Sequence, residues 1–205
     1  MFNTRLAKDY LLYRLKAKTR HGTHSPFIYR LVDKVIYDFN AKKVYAEVEE
    51  NRKKYNTAEH KDAISPKIAQ LIYRLVADWQ PGNIVEVGDG VYYITSYLEK
   101  ATPSAKVYSV EDKAQLLAAI GNLDQLDCMF IKGGRSITEY FELCLSKVHD
   151  GTLLIVDDIY RTEDRKDAWA QIKANPKVTA TIDLFWIGLV YFRKGQVKED
   201  FLIKI

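Results

Sequence analysis

From Ile84 onward the chain alternates short apolar runs with amphipathic segments, and this rhythm limits the possible folds more than any other feature. Strands are predicted near residues 84–88, 106–110, 127–131 and 152–156, with helices near 93–100, 112–125, 136–148 and 163–174 between and after them. Strands that alternate with helices of such length build βαβ units and a parallel sheet. The apolar runs at 178–182 and 187–192 lie too close together for a crossover helix, so they are expected to pair as an antiparallel hairpin. The expected class is α/β: a mostly parallel, Rossmann-like sheet that ends in an antiparallel hairpin.

The first 63 residues follow a different pattern. Phe2, Leu6, Tyr10, Tyr13 and Ala17 recur at helical spacing, and Leu11, Leu12 and Leu15 widen the stripe. This apolar face needs a partner, most simply the domain behind it. Ser25-Pro26 supplies a cap and a first-turn proline for a second helix to about residue 38, and a charged third helix follows over about 41–55. The polar stretch 56–63 marks the boundary between an N-terminal helical arm, 1–63, and a Rossmann-like domain, 64–205, whose first helix starts at Ser65-Pro66.

Composition narrows the setting. A chain of 205 residues, 47% hydrophobic and 28% charged, has the make-up of an ordinary globular protein. Cys128 and Cys144 lack metal-type spacing and are expected as reduced core thiols of a cytoplasmic protein. No run is long enough to span a bilayer, and the basic N-terminus lacks the apolar stretch and cleavage site of a secretory signal. Arg5, Lys8, Arg14, Lys16, Lys18 and Arg20 face only Asp9 in the first twenty residues. A solvated helix face is the commoner cause of such a run; contact with an anionic surface is the alternative. Without an RNA-binding pattern, nucleic acid is not an expected partner. The arm offers a surface for a protein partner or for self-association.

The candidate site follows the first strand of the domain. Glu86, Gly88, Asp89 and Gly90 form an acidic and glycine-containing turn where ligands bind in open α/β sheets, beyond the carboxyl ends of the strands. Glu111 ends the next strand, where an acid holds ribose hydroxyls through charge-assisted hydrogen bonds; alternatively, Glu111 and Asp112 simply favour the start of a helix. Glu86, Gly88 and Gly90 match the pattern E/D-x-G-x-G-x-G, with Tyr92 where the third glycine belongs. A nicotinamide-dependent oxidoreductase is disfavoured, because Tyr93 replaces the last glycine of G-x-G-x-x-G and the terminal hairpin goes unexplained.

These features together resemble the class I S-adenosylmethionine-dependent methyltransferases. Residues 20–29 (RHGTHSPFIY), Asp157-Asp158-Ile159, Ala168-Trp169, residues 181–193 (TIDLFWIGLVYFR), and Tyr45, Glu49 and Arg52 are similar to methyltransferase-like proteins typical of Bacteroidetes, of which this would be a divergent member. The resemblance implies S-adenosylmethionine as cofactor, held by Glu86, Gly88, Asp89, Gly90 and Glu111, and methyl transfer to a small-molecule oxygen or nitrogen. Asp157 and Asp158 would border the acceptor. His24, with His21 beside it, would be a general base, or would instead fix the turn between two arm helices.

Three departures point to a partly degenerate site, and to a non-catalytic interaction module as the alternative. Only one helix fits between Glu111 and the strand at 127–131, so one edge βα unit that the family carries is missing. Lys132 and Arg135 stand where the resemblance expects an aspartate and a histidine. Lys132 cannot ligate a cation and is expected to neutralise Asp157 and Asp158, so no metal site is expected. The linker 56–63 also lacks the small-residue loop of the relatives.

Overall fold

The computed structural model describes residues 4–20, 25–55, 64–88, 92–132, 136–195 and 197–205. Helices α1 (Thr4–Lys16), α2 (Pro26–Leu31, prolonged by a π-helical turn Val32–Ile36) and α3 (Lys43–Tyr55) fall within the first 63 residues. They precede α4 (Pro66–Trp79), β1 (Asn83–Val87), α5 (Tyr92–Ala101), β2 (Lys106–Val110), α6 (Lys113–Gly121) and β3 (Leu126–Ile131). The chain continues through α7 (Ile137–Cys144), β4 (Val148–Asp157), α8 (Glu163–Ala174), β5 (Ala180–Asp183), β6 (Ile187–Tyr191) and β7 (Glu199–Leu202). The two serine-proline starts behave as expected: the Ser25 and Ser65 hydroxyls accept from the amides of Ile28 and Ile68, and Thr162 caps α8 in the same way.

The seven strands run in the order β2-β1-β3-β4-β6-β5-β7. Strands β1 to β4 pair in parallel, and β6 lies antiparallel to both β4 and β5, giving the expected mixed sheet. A single helix, α6, connects β2 to β3, so β2 is an edge strand with no further βα unit beyond it.

The central strands are buried on both faces, which explains their nearly continuous apolar runs. Ile84, Cys128, Phe130 and Ile155 share one cluster with α4, α5 and residues 28–48 of the arm; Val85, Met129, Ile131 and Val156 pack against Phe141, Trp169 and Ile172 of α7 and α8. Both cysteines are buried free thiols.

Several boundaries differ from the expectation. The second helix ends at Ile36 because Arg74, buried on α4, donates to the carbonyls of Val35 (2.9 Å) and Ile36 (3.3 Å) and so takes over the helix end. α6 stops at Gly121 and α7 at Cys144, and β4 begins four residues early at Val148. Strand β7 has no counterpart in the sequence reading, since its Glu-Asp-Phe-Leu run is too short and too charged to register as a strand. It pairs in parallel with β5 and places Ile203 in a bridge with Lys18. In α1 the inner stripe docks as expected, with Tyr13 and Ala17 buried against Phe185, whereas Leu11, Leu12 and Leu15 stay exposed.

Candidate cofactor site

Four strand ends converge along the carboxyl edge of the sheet. At the end of β1, Gly88 has φ +125°, a region that side-chain-bearing residues avoid, and its amide donates to the Val110 carbonyl at 3.0 Å. A Cβ at this position would stand 2.9 Å from Lys132 Cβ, while the Lys132 amide donates to the Val87 carbonyl at 2.9 Å. The glycine is therefore required by the close approach of β3, whatever a ligand asks of the turn. Asp89 and Gly90, the Tyr92 ring, Arg135, His21, His24 and the linker 56–63 lie outside the described residues.

Glu86 is fully buried. Its Oε2 accepts from Thr95 Oγ1 on α5 (2.6 Å) and from Ser109 Oγ, its register partner on β2 (3.0 Å). One carboxylate thus ties together β1, β2 and α5. Oε1 is buried and has no hydrogen-bond partner among the described residues. Burial pushes the carboxyl up to about 7, against the opposing pull of the Thr95 and Ser109 hydroxyls and the field of the Lys132 ammonium. No sequence motif marks Ser109 or Thr95; the parallel register that puts Ser109 beside Glu86 is the signal that finds Ser109.

Glu111 follows β2 at the edge of the sheet. Its side chain is exposed, its backbone amide donates to Gln115 Oε1 at 3.0 Å, and its carboxylate is engaged by no described residue. Capping of α6 falls to the next residue, since Asp112 Oδ1 accepts from the Gln115 amide at 2.8 Å. Of the two acids at this turn, Asp112 is the cap, while no described residue engages the carboxylate of Glu111.

At the end of β4, Asp158 has φ +56° and its amide donates to the Trp186 carbonyl at 2.6 Å. Its carboxylate binds Arg161 (3.0 Å) and Arg165 (3.1 Å). Two cations that pair with Asp158 thus come from its own turn and from α8. Asp157 is half-buried one residue earlier, in register with Ile187 of β6. The arm braces this corner: Arg5 donates to the carbonyls of Tyr160 (3.1 Å) and Arg161 and pairs with Asp9 and Glu163, while Lys166 reaches Asp9 at 3.0 Å. Among the described residues, no three His, Cys, Asp or Glu side chains cluster as a metal site would require.

Other motif residues have structural duties. Trp169 donates to Asp183 at 3.2 Å, and its ring occupies the space a Cβ on Gly188 would need, 2.6 Å away. Glu49 accepts from the Tyr93 and Tyr97 hydroxyls and pairs with Arg52, whose guanidinium lies 4.6 Å from the centre of the Tyr93 ring. Through Tyr93, α3 grips the first turn of the helix that leaves the glycine loop.

Neither a family model nor a curated protein matches this sequence. Solved structures do. The cofactor-bound protein Rv0187 from MTB superposes with a TM-score of 0.60 at 12% identity, over 84% of this chain and 99% of that one. The S-adenosylhomocysteine-bound methyltransferase PaMTH1 of Podospora anserina gives 0.59 at 10% identity, over 84% and 97%. A Klebsiella pneumoniae structure provisionally assigned as an O-methyltransferase gives 0.58 at 17% identity, over 78% and 94%.

The fold is that of the class I methyltransferases. Two described carboxylates at the carboxyl edge of the sheet have acceptor oxygens to spare. Glu111 presents a carboxylate that no described residue engages at the end of β2, and Glu86 keeps a buried oxygen that no described donor reaches.

Proposed function

We propose that this chain binds S-adenosylmethionine at the ends of β1 and β2 and transfers its methyl group to an oxygen or nitrogen of a small molecule. The observation that carries the proposal is the exposed, unengaged carboxylate of Glu111 beside the Gly88 turn. Glu111 would accept from the two ribose hydroxyls, and the 88–90 turn would let the backbone approach the methionine portion, with Asp89 and Gly90 part of that turn. Glu86 would hold α5 and β2 in place through Thr95 and Ser109 and offer Oε1 to a donor on the ligand. When bound, the cofactor supplies an electrophilic methyl group on a sulfonium.

The chain's own part is alignment and exclusion of water. Asp157 borders the acceptor and takes the proton its hydroxyl loses. Asp158, clamped by Arg161 and Arg165, fixes the turn that carries Asp157. His24 is the second candidate base. The kinship with methyltransferase-like proteins typical of Bacteroidetes, the division into arm (1–63) and Rossmann-like domain (64–205), and a cytoplasmic setting in which Cys128 and Cys144 stay reduced belong to the same reading.

One observation favours a non-catalytic interaction module instead: Arg161 and Arg165, beside the acceptor corner, both pair with Asp158. Calorimetric titration with S-adenosylmethionine and S-adenosylhomocysteine separates the two readings. Micromolar binding of both is expected; absence of heat and of thermal stabilisation at millimolar ligand would overturn the cofactor reading in favour of the module.

A further inference from the structure

Helix α1 has two apolar faces, and the body of the protein covers only one. Tyr13 and Ala17 are buried, whereas Leu11 is 61% exposed and Leu15 74%, with Leu12 beside them. At one hundred degrees per residue, Leu11 and Leu15 lie on the side opposite Tyr13. Side chains exposed to that degree project as a ridge and do not line a groove. Tyr10 and Trp186 are exposed at its margin with ring centres 6.2 Å apart, each joining an apolar ring to a polar tip.

Charge identifies the occupant. Six cations and one acid in the first twenty residues give a net +5, which exceeds the +4 of the whole chain. Asp9 faces the body and is taken by Arg5 and Lys166. Arg5 also reaches Glu163, and Arg20 pairs with Asp33. Lys8, Arg14, Lys16 and Lys18 remain, all exposed and in no ion pair with any described residue. A second copy would bring the same cations against these, so the face is ill-suited to self-association. A projecting leucine ridge among exposed cations that no described acid pairs, with aromatic rings at its edge, matches an anionic lipid surface, where leucines enter the acyl boundary and cations meet headgroups.

We propose that the outward face of α1 docks this protein peripherally on anionic membranes. The inference is independent of cofactor binding, so either can fail alone. The test is co-sedimentation of the full chain with vesicles of phosphatidylcholine, alone and mixed with phosphatidylglycerol. Binding is expected only to the mixed vesicles and should weaken with added salt. Leu11→Ser with Leu15→Ser should lower the partition coefficient at least tenfold. Lys8→Gln and Lys16→Gln should each lower it roughly fivefold. All four positions are exposed, and unchanged circular dichroism checks that each variant folds.

Failure to sediment with mixed vesicles overturns the proposal, as does vesicle binding that is indifferent to the leucine substitutions. A concentration-dependent dimer by light scattering that those substitutions abolish, or capture by RNA without vesicle binding, also overturns it by assigning the face to another partner.

Discussion

Glu86 is the residue on which the site's chemistry and the stability of the fold meet. Its carboxyl is raised from 4.5 to about 7 by burial. A carboxyl raised on folding favours the native state below the unfolded value, and that contribution is lost as pH rises through the folded one. Between pH 5 and 8 the wild type should therefore lose stability relative to Glu86→Gln, by about 3 kcal/mol at about 1.4 kcal/mol per unit. Urea midpoints of the two proteins across that range check this, and a difference independent of pH would contradict it. The positions of Glu86, Gly88 and Glu111 at the strand ends are legible in the sequence, while Gly90 lies outside the described residues. The cap role of Asp112 is not legible there, because it depends on which carboxylate the first turn of α6 captures. Nor is the pairing of Asp158 with Arg161 and Arg165, which requires the left-handed turn at Asp158.

At the scale of elements, periodicity and capping residues located every helix and the first six strands, since alternation of apolar runs is a local signal. What escaped was decided by contacts distant in sequence. The second helix closes at Ile36 because a guanidinium from α4 reaches its last carbonyls, and β7 exists because β5 offers it an edge. Arg74→Met should thus destabilise the protein by about 2 kcal/mol, since it removes the guanidinium donor from the Ile36 carbonyl and leaves the Val35 carbonyl only the 3.4 Å bond from the Asp38 amide. Chemical denaturation measures it, and a loss within about 0.5 kcal/mol would assign that helix end to local sequence alone.

For the molecule as a whole, one apolar cluster runs from Ile28, Leu31 and Val48 of the arm through α4 and α5 into Ile84 and Phe130 of the sheet. Tyr13 and Phe185 join α1 to the terminal hairpin, and the Tyr13 hydroxyl donates to the Ile203 carbonyl. Arm and sheet are therefore expected to unfold in a single transition, with helical and aromatic circular dichroism signals coinciding; an arm that melts separately would contradict this. The two edges of the sheet differ in the same way: neither cluster relies on anything beyond the edge strand β2, whereas the β7 side is secured by the N-terminal segment through Lys18 and Ile203.

The central claim is that the carboxylate of Glu111 is kept free for the ribose of an adenosyl cofactor. Titration of S-adenosylhomocysteine into the wild type and Glu111→Ala, with thermal denaturation of both, tests it directly. Because Glu111 is exposed and unengaged, the variant should match the wild type in stability to within about 0.5 kcal/mol. It should bind the ligand at least tenfold more weakly, as expected for the loss of hydrogen bonds to a charged acceptor. Equal affinity in the two proteins, or no binding by either, would contradict the account.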